Sequence, residues 1–131
     1  MSSLLITNGR LVTLDEDDRF IESGSVYIED SRIVAVGDLD AGSYSADRTI
    51  DAGGSLVMPG LINAHHHLYS TFARGFTPPG PAAENFEQNL KNLWWKLDAA
   101  LDAEDVYYSA LLAVMHAARA GCTTIIDHHA S

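Results

Sequence analysis

The spacing of apolar residues along the chain changes near residue 55. Before that point, short runs of β-branched and aliphatic residues are separated by turn-forming residues, a pattern typical of a small antiparallel sheet or half of a β-sandwich. Asn8-Gly9, between the first two runs, predicts a type I′ hairpin turn because both residues tolerate positive φ. The four runs lie at residues 4–6, 11–14, 26–28 and 33–36.

After residue 55 the pattern predicts a strand, two helices and a second strand. Residues 56–64 are almost continuously apolar, which is typical of a strand buried on both faces, with Pro59 expected at its entrance. Two amphipathic helices should follow, the first capped by Asn85 and the second beginning near Asp102. Residues 122–127 predict another buried strand. This order of elements predicts parallel pairing of the two strands.

Five of the six histidines follow these two strands, at residues 65–67 and 128–129. In parallel α/β folds, ligands bind and catalysis occurs at the carboxyl ends of the strands. Side chains alternate along a strand, so His65 and His67 should share one face and His66 the other. Two imidazoles so placed can hold one metal ion. The alternative interpretation is a set of polar residues bonded to backbone, and His116, within an apolar helix pattern, is expected to be structural.

Charge and composition limit the classes of partner. Eight basic residues stand against 18 acidic ones, for a net charge of −10, and no basic cluster is present, so nucleic-acid binding is not expected. The single cysteine, Cys122, cannot form an internal disulfide, which fits a reducing compartment. No signal-peptide pattern opens the chain, and no run reaches the ~20 apolar residues of a membrane span. We therefore expect a cytoplasmic protein without a membrane or nucleic-acid partner.

Several motifs carry a resemblance to a known family. Residues 58–68 read MPGLINAHHHL, which resembles the first-strand signature of the amidohydrolase superfamily, in its cytosine/guanine deaminase and triazine hydrolase branch. The stretches LYSTFARG (68–75), LWWKLD (93–98) and DHHAS (127–131) are more narrowly similar to the SsnA-type aminohydrolases. The 8-oxoguanine deaminases share the triple histidine, but this chain has Ser70 where they carry Gln. The contact that this Gln would make with the edge of a purine is therefore not expected in this chain.

The resemblance implies an α/β fold, a metal-dependent (β/α)₈ barrel preceded by a small β-sandwich half. Residues 1–55 would form part of a composite β-sandwich domain, and residues 56–131 the first βαβ portion of the barrel. A barrel needs about 200–250 residues, so the chain is expected to be the N-terminal fragment of a longer enzyme and inactive by itself. Its strands should then expose apolar surface at residues 56–64 and 123–126. An independent domain of 131 residues is the alternative.

The function implied by the resemblance is hydrolytic deamination of a purine, pyrimidine or related N-heterocycle, by a hydrolase acting on non-peptide carbon–nitrogen bonds. His65 and His67 match two ligands of one divalent ion, expected to be zinc, with iron as the alternative. Such an ion makes hydroxide available at neutral pH. The catalytic proton-transfer groups and the other ligands are expected beyond residue 131. The weaker candidates for substrate contact are Tyr69, Arg74, Trp94, His128 and His129.

Two other functions remain open from the sequence. The same scaffold could displace chloride from a triazine-like ring, or the chain could be a non-enzymatic metal-binding domain. In the enzymatic case, the partner is a small N-heterocyclic substrate, and the full-length protein is expected to be a homo-oligomer.

Overall fold

The computed structural model describes residues 2–129. The chain divides into two compact units, Met1–Pro59 and Gly60–Ser131. The first unit holds a five-stranded sheet, and the second holds a two-stranded parallel sheet with its connecting helices.

The first sheet is built around its longest central strand. Its strands are β1 (Ser3–Val12), β2 (Phe20–Glu29), β3 (Arg32–Gly37), β4 (Arg48–Asp51) and β5 (Leu56–Val57). They follow the order β3-β2-β1-β4, and β5 also pairs with β1. The β1–β2 and β2–β3 pairs are antiparallel, whereas β4 and β5 run parallel to β1. The strand pattern predicted before residue 55 is therefore confirmed for β2 and β3, while β4 was missed.

The hairpin predicted at Asn8-Gly9 is wrong, because β1 continues through both residues. Asn8 does adopt positive φ (55°), but it lies in a β-bulge, where the register with β2 shifts between Ile6 and Gly9. A left-handed residue suits a bulge as well as a turn. Here β4 and β5 pair with successive parts of β1 and keep it extended. The turn into β2 lies at the acidic residues 15–18, where the Asp18 N–H donates to the Asp15 carbonyl at 3.0 Å.

The core of the first unit is small. Leu5, Leu11 and Val26 are buried between the strands, and Leu11 is only 1% exposed. An apolar cavity of about 300 Å³ lies against the same strands, while Ile33 and Val34 on β3 are exposed. Residues 2–59 therefore leave part of the apolar surface of this sheet without a covering layer.

The single strand predicted over residues 56–64 is also wrong. Leu56–Val57 forms β5 in the first sheet, and the second sheet begins with β6 (Leu61–His66). Pro59 lies in the connection rather than at a strand entrance, because it has no N–H to give a ladder. Gly60 follows it, and a Cβ there would overlap the Thr123 side chain. These two residues separate one apolar run into strands of different sheets.

In the second unit, β6 pairs in parallel with β7 (Cys122–Asp127), as the order of elements predicted. The connection contains a 3₁₀ helix (Leu68–Ala73) and three α-helices, α1 (Phe86–Asn89), α2 (Trp95–Ala100) and α3 (Ala103–Arg119). A π-helical turn, Leu90–Trp94, joins α1 to α2. Hydrophobic spacing did not reveal it, because one wider turn leaves the apolar pattern nearly unchanged.

Capping residues bound the helices as their sequence signals predicted. The Asn85 side chain accepts from the Gln88 N–H at 2.9 Å. Asp102 and Asp105 form a reciprocal capping box at the start of α3, a pattern that satisfies two otherwise unpaired amides. Gly121 takes positive φ (81°) just after α3, as a glycine at this position commonly does.

The two parallel strands of the second unit are poorly covered. Leu61, Ile62 and Ile126 are exposed, Ile62 by 66%, although a parallel strand usually reads as apolar because both of its faces are buried. Exposed apolar side chains were expected in residues 56–64 and 123–126, and they are present at these three residues and at Leu56 and Met58. No helix within residues 2–129 is long and apolar enough to cross a membrane.

Candidate metal and substrate site

The histidine pair that the sequence singled out lies at the end of β6, with His65 in the strand and His67 just after it. The structure brings His65 and His67 together, with their Nε2 atoms 3.2 Å apart and their ring centroids 5.0 Å apart. This follows from their i, i+2 spacing at the end of a strand. The pair therefore presents two ring nitrogens to one point in space.

The orientation of the His67 ring is fixed by the end of β7. Its Nδ1 lies 2.7 Å from the His128 carbonyl oxygen. A carbonyl oxygen only accepts hydrogen bonds, so Nδ1 carries the proton and donates. The Nε2 of a neutral His67 is then unprotonated, so its lone pair, which lies 3.2 Å from His65 Nε2, can bind a ligand. Metal-binding histidines commonly donate their other ring N–H in this way.

The pair fits a single divalent ion. Two nitrogens at 2.0–2.1 Å from a tetrahedral zinc ion lie roughly 3.3 Å apart, close to the observed 3.2 Å. Within residues 2–129, no group of three or more His, Cys, Asp or Glu side chains is arranged to hold a metal. The described residues therefore offer two ligands, and a complete coordination sphere needs donors from outside them.

Asp127, at the end of β7, is a site residue that the sequence reasoning missed. Burial opposes its ionisation, but the Leu68 N–H and His129 outweigh burial and lower the pKa of Asp127. The Leu68 N–H donates to Oδ1 at 2.9 Å, and His129 Nδ1 lies 3.0 Å from Oδ2. Asp127 thus ties the residue after His67 to β7. The only signal in the sequence was an acidic residue closing a strand beside histidines.

Three of the predicted substrate residues gather around the histidine pair. The His128 ring stacks on His65, with centroids 4.3 Å apart. Tyr69 is buried, and its ring lies 6.2 Å from that of His67 and 5.2 Å from that of His129. The structure therefore collects aromatic and imidazole rings from both strand ends at one place.

The other two, Arg74 and Trp94, line a cavity beside the pair. This histidine cavity has a volume of about 420 Å³ and is lined by His65, His66, His67, Ser70, Thr71, Ala73, Arg74, Leu93 and Trp94. Arg74 is exposed at the end of the 3₁₀ helix, and Trp94 is half-buried on the π-helical turn. His66, expected to face away from the pair, has a buried Nδ1 with no hydrogen-bond partner among residues 2–129.

Comparisons with known proteins find similar sequences and similar structures. Residues 56–131 match the sequence profile of the amidohydrolase family. The chain is 40% identical over 127 residues to a 5′-deoxyadenosine deaminase of Methanosarcina mazei, covering 97% of this chain and 28% of that protein.

Two solved structures resemble the chain. One is an adenosine deaminase from Xanthomonas campestris with bound zinc, with a TM-score of 0.82 and 29% identity, covering 97% of this chain and 29% of that one. The other is the atrazine chlorohydrolase TrzN from Arthrobacter aurescens TC1 complexed with zinc, with a TM-score of 0.75 and 30% identity, covering 96% of this chain and 28% of that one. The chain spans less than a third of the length of each of these relatives.

Proposed function

Because the chain belongs to the amidohydrolase family, we propose that it forms the N-terminal part of a metal-dependent aminohydrolase, which hydrolyses a non-peptide carbon–nitrogen bond. The observation that carries this proposal is the histidine pair. Its two Nε2 atoms lie at the spacing of ligands to one ion, and the His128 carbonyl selects the tautomer of His67 in which Nε2 is unprotonated.

The fold proposal follows from the second unit. Strands β6 and β7 would be the first two strands of a (β/α)₈ barrel, and the strands of residues 1–55 would be part of a composite β-sandwich. The parallel pairing, the histidines at the strand ends and the exposed apolar side chains support this assignment. In barrel enzymes, the carboxyl ends of the strands carry the active site.

His65 and His67 would hold one divalent ion, which we propose to be zinc rather than iron. Two similar structures hold zinc. Such an ion lowers the pKa of a bound water from 15.7 toward about 7. The His128 carbonyl and Asp127 would keep His67 and the following backbone in place. The remaining ligands and the catalytic proton-transfer groups would come from residues outside 1–131.

The substrate we propose is a planar N-heterocycle with an exocyclic amine, such as an adenine nucleoside. The oxygen of water would add to the ring carbon that bears the amine, and the amine would leave as ammonia after it gains a proton. Tyr69, Arg74, Trp94, His128 and His129 would contact the substrate, since they surround the histidine pair or line the histidine cavity. The 5′-deoxyadenosine deaminase and adenosine deaminase relatives support this class.

A second candidate is displacement of chloride from a triazine-like ring. The similarity to an atrazine chlorohydrolase at a TM-score of 0.75 favours it. The two reactions share the attack of water on a ring carbon and differ only in the leaving group. Their products, ammonia and chloride, therefore separate them.

The test uses a protein of the relatives' length that contains this sequence, loaded with zinc. We expect ammonia release from 5′-deoxyadenosine or adenosine, and at least a 100-fold loss in His65→Ala and in His67→Ala. His116→Ala, which changes an exposed histidine on α3, is the matched control and should retain activity. Chloride release from atrazine without ammonia release would favour the second candidate. Ammonia release that survives both substitutions would refute the proposal.

A further inference from the structure

Helix α3 is apolar on two opposite faces. Its inner face packs on the 3₁₀ helix and on β7, with Ser109 and Ala113 buried and the Ser109 Oγ accepting from the Phe72 N–H at 3.1 Å. The opposite face carries large side chains that are 43–62% exposed, namely Tyr107, Tyr108, Leu111, Val114 and Met115. A surface helix of a globular protein usually has one apolar face and one polar face. The second apolar face of α3 therefore has no covering layer among residues 2–129.

This second face has the spacing by which two helices pack side by side. From Glu104 it runs through residues 107/108, 111, 114/115 and 118, in steps of three or four residues that stay on one side of a helix. A repeat of this kind forms the seam between paired helices. From residue 104 to residue 118 the stripe is about 21 Å long. We call it the outer seam of α3.

The place of α3 in the proposed barrel indicates what covers the outer seam. In a (β/α)₈ barrel the helices form an outer ring around the strands, so each helix contacts the strands on its inner side and its neighbouring helices on its flanks. The outer seam lies opposite the buried Ser109 and Ala113, and it therefore faces away from the barrel. This step rests on the proposed function, which includes the barrel. Neighbouring barrel helices would cover the flanks of α3 and leave the outer seam open.

The outer seam is large enough for an interface between two proteins. Phe72 lies beside Tyr108 and Met115 in the same apolar groove, and with it the exposed side chains amount to roughly 700 Å². A standard interface buries about 800 Å² on each partner. Exposed apolar patches larger than a few hundred Å² commonly mark interaction sites.

The charges at the ends of the outer seam favour a second copy of the chain as the partner. Glu104 lies in the first turn of α3 and Arg119 in the last, and neither side chain has an ion-pair partner among residues 2–129. A two-fold axis at Leu111 places residue 104 of one copy beside residue 118 of the other. Glu104 then meets the partner's Arg119 at both ends of the seam. An interface between identical copies must be self-complementary in this way.

We propose that the outer seam is a homodimer interface, in which α3 packs antiparallel against α3 of a second copy with Leu111 at the two-fold axis. Burial of the apolar side chains would supply most of the binding free energy. The end charges would fix the orientation, because in a parallel pair Glu104 would meet the partner's Glu104.

The oligomeric state of a protein of the relatives' length that contains this sequence tests the interface. We expect a dimer in analytical ultracentrifugation. Leu111→Asp should raise its dissociation constant at least 100-fold, because two carboxylates then meet at the two-fold axis. The matched control is Leu14→Asp, which changes an exposed leucine of the first unit whose positive φ (50°) an aspartate tolerates, and it should leave the dimer intact. A monomer at every concentration, or a dimer unaffected by Leu111→Asp, would overturn the inference.

Charge reversal tests the pairing of the two ends without a change in the apolar seam. Glu104→Arg alone and Arg119→Glu alone should each weaken the dimer about three- to tenfold at low salt, since each dimer contains two such pairs. The double variant should restore the affinity, which a general loss of folding would not allow. A double variant that is weaker than both single variants would contradict the pairing.

Disulfide trapping tests the orientation. In a protein whose other cysteines, Cys122 included, are replaced by serine, Leu111→Cys should link two copies when oxidised glutathione is added, because the two residues face each other across the axis. Ala118→Cys in the same background is the control and should not link, since its two copies lie at opposite ends of the seam. A link at residue 118, or none at residue 111, would refute the antiparallel arrangement.

The outcome is separable from that of the proposed function. A dimer that depends on Leu111, in a protein that releases no ammonia when zinc is present, would leave the interface standing and refute the deaminase. A monomer that releases ammonia in dependence on His65 and His67 would refute the interface alone.

Discussion

In the first unit, polar side chains bind neighbours within their own sheet, whereas in the second unit two buried polar atoms have no partner. Asn8 donates to Asp51 at 3.0 Å, and Arg19 pairs with Asp15 at 2.7 Å. The buried side-chain atoms without a partner among residues 2–129 are His66 Nδ1 and Asp98 Oδ1. Both lie in the second unit, beside the histidine pair and the π-helical turn.

This difference separates a structural unit from a functional one. Sequences generally satisfy every local rule of folding except where function requires otherwise. Among residues 2–59, no buried side-chain polar atom lacks a hydrogen-bond partner. The second unit departs from those rules at the strand ends and at residues 90–98, which is where we place the substrate.

Substitutions in the core of the first unit should lower the stability of that unit the most. Leu11→Ala removes a side chain that is fully buried in β1, and we expect a loss of about 2–5 kcal/mol of stability. Hydrogen exchange of the β1 and β2 amides measures it. Leu56→Ala, at an exposed position of the same sheet, is the control and should cost less than about 1 kcal/mol. Equal costs would show that Leu11 is not part of a core.

The stability of the second unit should depend on the close approach of β6 and β7 at Gly60. Gly60→Ala would place a Cβ against the Thr123 side chain, and we expect a cost of about 1–3 kcal/mol from overpacking. The measurement is faster exchange of the β6 and β7 amides. Gly42→Ala, where a Cβ has ordinary contacts, should change stability by less than about 0.5 kcal/mol. A neutral Gly60→Ala would contradict the pairing geometry.

The bulge in β1 gives a smaller effect. Asn8→Ala puts a residue that disfavours positive φ at a position with φ of 55° and removes the bond to Asp51. We expect a cost of about 1–2 kcal/mol, measured by urea unfolding. Asn8→Gly, which tolerates the backbone, should cost less. The opposite ranking of these two variants would show that the backbone conformation is not what selects Asn8.

The smallest effect concerns an exposed carboxylate. The hydrogen bond from Arg19 first, and that from Thr13 next, lower the pKa of Asp15 to about 2. A pKa below its unfolded value means that the ionised group stabilises the fold above about pH 3.8, and that this contribution is lost as the pH falls toward 2. Arg19→Gln should move the pKa of Asp15 back toward 3.8. A pH titration of the Asp15 carboxyl resonance by NMR measures this pKa in the unsubstituted chain and in the variant. An Asp15 pKa that is the same in the variant would show that Arg19 does not lower it.

Local signals in the sequence predicted much of this structure. Asn85 and Asp102 mark helix starts correctly because caps act within a few residues. Asn8-Gly9 misled, because positive φ serves a bulge or a turn, and only pairing with the distant strands β4 and β5 decides between them. Strand β4 was missed because its four residues are exposed and include no hydrophobic run.

In the candidate site too, features set by local spacing were predicted and features set by distant contacts were not. The spacing of His65 and His67 was enough to predict that they share a face. Asp127 was not predicted, because its bond to Leu68 joins residues 59 positions apart. Asp98 stood out in the sequence only as the last residue of the motif LWWKLD, since its unsatisfied oxygen depends on how the aromatic residues pack around it. Roles of this kind need the tertiary structure.

The most direct test of the central claim is an NMR measurement of the imidazole nitrogens as zinc is added to a protein of the relatives' length that contains this sequence. The account predicts that His67 carries its proton on Nδ1 before zinc is added. It also predicts that one zinc ion shifts the Nε2 resonances of His65 and His67 together, while the exposed His116 is unaffected. A His67 protonated on Nε2, or Nε2 resonances of both residues that do not move at saturating zinc, would contradict it.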